Sequence, residues 1–182
     1  MDYITSRGPH QIVNLLDIDR PAAENIWSYQ GAEQILEEKS MLDELPAIAQ
    51  AYVEHGGGNQ NLAARRELIE PTGWEQEVGV KFEGRGGASR RASFDAHKDG
   101  VLLEHESGEQ MRANWHLMKM EATRRDTSGF DEAPEIEAGV LLIPEYVSFP
   151  TLDRTENDVR AFLANYYGFE LPLFVWQYPN SN

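Results

Sequence analysis

Between Ser93 and Glu106 the chain reads Ser-Phe-Asp-Ala-His-Lys-Asp-Gly-Val-Leu-Leu-Glu-His-Glu, and its acidic residues are spaced to meet on one face of a β-hairpin. Asp99-Gly100 is a strong short hairpin signal because both central positions of a type I′ turn need positive φ. Such a turn sets Lys98 opposite Val101, His97 opposite Leu102, Ala96 opposite Leu103 and Asp95 opposite Glu104, with Glu106 on the face of Glu104. Like charges at neighbouring same-face positions repel, so three carboxylates need a neutralising partner. A divalent cation held by oxygen ligands supplies one. Asp95 and Glu104 would bridge it, and Glu106 would add a ligand or orient a water. Mg²⁺ so held can activate water, polarise phosphorus and stabilise a leaving oxyanion, the three needs of phosphodiester hydrolysis. Mn²⁺ is expected to substitute.

Other reactive-looking residues carry less. Lys98 at the turn tip could touch a phosphate. His97 would share the hairpin face with Asp95, whereas His105 points to the opposite face and is expected to be a core or supporting histidine. His10, His55 and His116 stand without a partner at metal-ligand spacing. There is no Gly-x-Ser-x-Gly, phosphate-binding glycine loop or dinucleotide fingerprint. Gly84-Arg85-Gly86-Gly87 falls between strands rather than opening a helix, so it reads as an ordinary hairpin connection or a flexible loop facing DNA.

The chain has 182 residues and no cysteine, which removes disulfides, thiolate nucleophiles and zinc-thiolate sites. Its length fits a single domain over 1–182, with 1–75 mainly helical and 76–178 forming the catalytic core sheet and helices. No apolar run approaches the roughly 18 residues needed to span a bilayer, and the first residues lack a signal-peptide apolar region. A soluble, cytoplasmic protein with no membrane partner is expected. The net charge of -15 is unlike the basic footprint of most nucleic-acid proteins. Its distribution matters more: residues 1–60 hold 3 basic and 10 acidic side chains, residues 126–182 hold 2 and 10, and residues 61–125 hold 11 of each. The basic residues therefore gather around the carboxylate cluster, where an anionic substrate would bind. The 12 Arg to 4 Lys and the acidic flanks are also what a salt-rich cytoplasm would favour.

Around that cluster the periodicity predicts a short strand at 2–5, helices over 21–38, 41–54 and 59–69, and then a change of period. Val78, Val80 and Phe82 alternate with polar residues as a half-buried strand does. Strands around Phe94 and over 101–106 complete a three-stranded meander. A helix over 109–124 should lay Met111, Trp115, Leu117, Met118 and Ala122 on the sheet. The unbroken apolar run Gly139 to Pro144 reads as a strand buried on both faces. Thr155 opens a helix ended by Gly168, and 173–178 supplies a last strand. The fold class is α/β, a mixed central sheet flanked by helices.

Phe94-Asp95, nine residues, then Glu104-His105-Glu106, set in this order of elements, resembles the PD-(D/E)xK nuclease superfamily. Within it the chain is similar to type II restriction endonucleases of the BglII/BstYI and BamHI kind, where the last motif position is Glu or Gln instead of Lys. The likeness takes in Gly58-Asn59-Gln60, Trp74 and Val140 to Pro144 with Phe149-Pro150 behind, roughly residues 55–165. It implies a restriction-endonuclease-like αβββαβ core, Mg²⁺ as cofactor and double-stranded DNA as partner. It also implies Glu77 as a fourth acidic residue near the metal. Base reading would fall on Ser107, Glu109, Gln110, Arg112 and Asn114, and near Ser148 and Thr151. The chain is shorter and more acidic than is usual for such enzymes. A symmetric homodimer cutting a palindromic site is the expected form, since one site cuts one strand. Two alternatives stay open: a non-catalytic DNA- or partner-binding module, and a structure-specific repair or recombination nuclease on the same core.

Overall fold

The computed structural model describes residues 26–56, 61–83, 89–106, 112–127, 134–144 and 170–178. The expected strand at 2–5, the helix begun at Thr155 and the loop 84–87 lie outside these. Six described strands, β1 (Ile26–Tyr29), β2 (Glu75–Glu83), β3 (Ser89–Lys98), β4 (Val101–His105), β5 (Ala138–Pro144) and β6 (Leu173–Tyr178), form one sheet in the order β1-β6-β5-β4-β3-β2. The β2-β3-β4 meander is antiparallel, β4, β5 and β6 run parallel, and β1 closes the far edge antiparallel to β6. Four described helices, α1 (Ala32–Glu38), α2 (Leu45–His55), α3 (Leu62–Ile69) and α4 (Arg112–Arg125), flank it. The run α3-β2-β3-β4-α4-β5 is the expected core. No described helix is long and apolar enough to cross a membrane.

The hairpin that joins β3 to β4 forms as its residues dictate. Asp99 and Gly100 both have positive φ, 42° and 80°, as a type I′ turn requires. Gly100 is also crowded, because a Cβ there would run into the carbonyl oxygen of Glu135. Gly100→Ala is therefore expected to cost about 1–3 kcal/mol from strain and overpacking. Urea unfolding of the variant checks this, and an unchanged midpoint would contradict the tight turn.

β5 explains its own composition. Val140 and Leu142 pack toward α1, α2 and Trp74, while Leu141 and Ile143 pack toward Leu117 and Met120 of α4. A strand covered on both sides needs apolar residues at every position. Gly139 lets α4 come close, since a Cβ there would stand 2.7 Å from Met120 Sδ.

Two expectations fail for identifiable reasons. The helix expected over 21–38 is, within the described residues, strand β1 followed by α1. Ile-Trp-Ser-Tyr suits a strand, and Gln30 and Gly31, at φ 54° and 78°, turn the chain before the helix starts. The second failure is the rotation of α4. Leu117 and Met120 face the core, but Trp115 and Met118 are 54% and 51% exposed, and Ala122 is exposed as well; Met111 lies outside the described residues. The buried face carries His116, Lys119, Glu121 and Thr123. Polar partners beneath the helix, rather than apolar spacing, set its rotation.

Glu121 is one residue of that buried face. It accepts hydrogen bonds from Arg124 and Arg125 and from the backbone N–H groups of Glu170 and Leu171, at 3.1 and 3.0 Å, so it ties α4 to the entrance of β6. Burial alone would raise its carboxyl, but these donors outweigh it and hold it below its usual 4.5. A carboxylate depressed by folding stabilises the protein above its unfolded pKa and loses that contribution as pH falls through the folded value. Glu121→Gln should cost about 1–3 kcal/mol at neutral pH, and the difference from the parent protein should shrink below pH 4.5. Thermal melts across pH 3 to 7 test this. A difference that stays constant with pH would show that charge plays no part.

Candidate active site

The β3–β4 ladder pairs Lys98 with Val101, His97 with Leu102 and Ala96 with Leu103, then stops. The next pair, Asp95 with Glu104, is not made through the backbone. Instead the Asp95 carboxylate accepts the backbone N–H of His105 at 2.7 Å, replacing the missing ladder bond. On the other side of β3 the register passes from Gln76–Ala96 to Val78–Phe94 without a Glu77–Asp95 pair, and Glu77 sits at φ 54°. Positive φ at a glutamate costs backbone energy, so the surrounding packing must hold it. Side-chain alternation breaks at the same point. Phe94 belongs to the core under α4, whereas Ala96, two residues on, belongs to the core under α1 and α2. The inference of a shared face for His97 and Asp95 assumed regular alternation and does not carry across this break. Asp95 thus stands at a gap between strands. Burial, together with the neighbouring Glu104, pushes its carboxyl up to about 7.

Glu104 and Glu106 both point toward α4, as their spacing on β4 requires, and are buried. They are met by two basic side chains one helical turn apart. His116 Nδ1 lies 2.9 Å from a Glu104 oxygen, and His116 Nε2 lies 3.3 Å from a Glu106 oxygen. Lys119 Nζ pairs with the other oxygen of Glu104 and donates to the Ser93 carbonyl at 2.5 Å. It also stands 4.5 Å from the centre of the Phe94 ring. Burial would lower the His116 ring, but the two carboxylates outweigh it and push the ring up to about 9. His116, which showed no partner at metal-ligand spacing in the sequence, faces two carboxylates here, and Lys119, one of the basic residues expected around the carboxylate cluster, pairs with Glu104. The legible signal was the i, i+3 spacing, which places 116 and 119 on one helix face above two glutamates that share one strand face.

The opposite side of β4 supports the site. His105, as expected, is a core histidine: its ring stacks on Tyr52 with centroids 4.1 Å apart and meets Tyr178 Oη at 2.7 Å. Burial pushes His105 down to about 4, so it is neutral at ordinary pH. Arg65, itself buried, lies 5.3 Å from the Tyr52 ring centre, donates to the Gly56 carbonyl at 2.8 Å and reaches Glu77 at 3.9 Å. Glu77 of β2 stands where the register skips Asp95 of β3, lines a cleft of about 850 Å³ with Gln76 and His97, and is near enough to help raise the Asp95 carboxyl.

Lys98 is corrected. It does not project toward a phosphate, because its Nζ donates to both Glu44 oxygens at 2.6 and 2.8 Å and to the Thr72 carbonyl at 2.8 Å. It anchors the hairpin tip to the helical layer. Of the residues expected to read bases, Ser107, Glu109, Gln110, Ser148 and Thr151 lie outside the described residues. Arg112 and Asn114 fall in the first turn of α4, and only their backbone is described.

A hard divalent cation suits the chemistry of this donor set, since Asp95, Glu104, Glu106 and Glu77 offer oxygen alone. Among the described residues, however, no group of three or more His, Asp or Glu is arranged to hold a metal as it stands. Glu104 and Glu106 are engaged by α4 instead.

The arrangement is a restriction-endonuclease-like fold: a mixed six-stranded sheet with helices on both faces. A solved structure, the restriction endonuclease BglII complexed with a DNA 16-mer, is similar over 90% of this chain and 77% of its own, with a TM-score of 0.59 and 13% identity. No family model and no curated protein matches the sequence.

Proposed function

We propose that this protein is a Mg²⁺-dependent endonuclease that cuts double-stranded DNA at a specific palindromic site as a symmetric homodimer. The observation that supports this most is the placement of Asp95, Glu104 and Glu106 around the gap between β3 and β4 of a restriction-endonuclease-like sheet. Asp95 and Glu104 would hold the ion, with Glu77 as a fourth acidic neighbour, and Mg²⁺ when bound supplies a Lewis acid for the phosphate and a more acidic water. Glu106 would add a ligand or orient that water. Ser93 and Phe94 fix Lys119, and Lys119 in turn fixes Glu104. Ser107, Glu109, Gln110, Arg112 and Asn114, at and before the start of α4, would face the bases, where Arg suits guanine and Asn or Gln suits adenine. With DNA as its partner the enzyme would work in the cytoplasm.

The test is incubation of the purified protein with unmethylated phage DNA, in Mg²⁺ or in EDTA, over a range of salt concentrations. Discrete bands that need Mg²⁺ are expected, and sequencing their ends gives the site. DNA left intact under every condition overturns the reading, and cleavage confined to branched DNA would make the protein a structure-specific nuclease. Sedimentation checks the dimer. The exposed Trp115 and Met118 on α4 are the residues to replace with glutamate, and a monomer in the parent protein would remove the two-fold.

A further inference from the structure

We infer that the His116 ring occupies the place a divalent cation needs between Glu104 and Glu106, so that metal enters this site by displacing a side chain of α4. The inference rests on the metal-dependent reading above. Its observation is geometric: the two ring nitrogens each face a different carboxylate, at 2.9 and 3.3 Å. The ring lies between the two carboxylates and is itself buried, so it fills the space that separates them.

The remaining oxygen of Glu104 is occupied in the same way, by Lys119. Both oxygens of Glu104 therefore face α4, and no group of three or more acidic or histidine side chains among the described residues could hold one ion as it stands. An ion at about 2.0–2.1 Å from its oxygens requires them to turn toward one point, which a ring wedged between them prevents. His116 is the more readily displaced of the two side chains. Its contacts end in side chains, whereas Lys119 is also bonded to the Ser93 backbone. α4 follows directly on the segment expected to read bases, so metal loading and DNA contact share one element.

A binding equilibrium that must first release an internal competitor is weakened by the fraction of time the competitor is away. His116→Gln, which is uncharged, should therefore bind Mn²⁺ about tenfold more tightly than the parent protein by calorimetry. In the parent protein, the ¹⁵N signals of the His116 ring should move as Mg²⁺ is titrated in. Asp95→Asn serves as the control that removes a ligand. Equal or weaker Mn²⁺ binding by His116→Gln, with the parent binding metal and Asp95→Asn not, overturns this inference and leaves the metal-dependent reading standing. Absence of metal binding in both the parent and His116→Gln removes that reading and the inference with it. Should His116→Gln fail to fold, the ring signals decide: signals unmoved at saturating Mg²⁺ overturn the displacement.

Discussion

Asp95→Asn is expected to lower Mg²⁺-dependent DNA cleavage on the order of a thousandfold or more while the fold survives. The two halves of this expectation come from different atoms. The fold uses the Asp95 side chain as a hydrogen-bond acceptor, taking the His105 N–H at 2.7 Å where the β3–β4 ladder has ended. An amide oxygen can accept that bond equally well. The chemistry uses the charge, which an amide lacks, and a neutral ligand binds a hard cation far less well. Burial and Glu104 already push the carboxyl up to about 7, so the metal-free protein gains nothing from ionising it. The variant should thus melt at or above the temperature of the parent without metal, and Mg²⁺ should no longer raise that temperature. Cleavage assays and melts on the same samples decide the matter. A variant that cuts within about tenfold of the parent would show that the ion, if one is used, is held elsewhere, and a variant that unfolds would make Asp95 structural.

That separation could be read only in part from the sequence. The hairpin turn, its register as far as Ala96–Leu103, the meander and the doubly buried β5 were all legible, because each depends on local periodicity or on turn residues with special φ. What local pattern could not supply is the break at Asp95. Strict alternation put Asp95 directly against Glu104. The strands part there, Glu77 takes a left-handed backbone, and a side chain takes over a ladder bond. Such a break costs energy locally and is held by contacts from distant segments, which periodicity does not report. α4 failed in the same way. Trp115 and Met118 have the better apolar spacing, yet the helix turns His116 and Lys119 inward because Glu104 and Glu106 lie beneath them. β1 was read as helix because Ile26 and Trp27 fit a helical spacing with Ile35 and Leu36, and only pairing with β6 makes it a strand.

Lys119→Met should destabilise the protein by about 3–5 kcal/mol, the usual cost of breaking a buried ion pair from one side. The side chains of Lys119 and Glu104 are 5% and 3% exposed, so water cannot take the place of the lost partner. Methionine fills the space of the aliphatic stem and keeps the packing over Phe94. What it removes is the positive charge beside Glu104, the hydrogen bond to the Ser93 carbonyl and the cation above the Phe94 ring. Against a typical stability of about 5–15 kcal/mol the loss is a large share. Its origin is separable by a double-mutant cycle. Glu104→Gln removes the buried charge, so the double variant Lys119→Met/Glu104→Gln should recover about 1–3 kcal/mol relative to the sum of the single changes. Urea unfolding of the parent and the three variants measures this coupling. Coupling near zero would mean that the lysine stabilises through its stem and its bond to Ser93 alone, and that Glu104 is held by His116 without it. A recovered fold in the double variant would still be expected not to cut DNA, because Glu104 serves as a partner to Lys119 in the resting protein and as a proposed metal ligand in the working one.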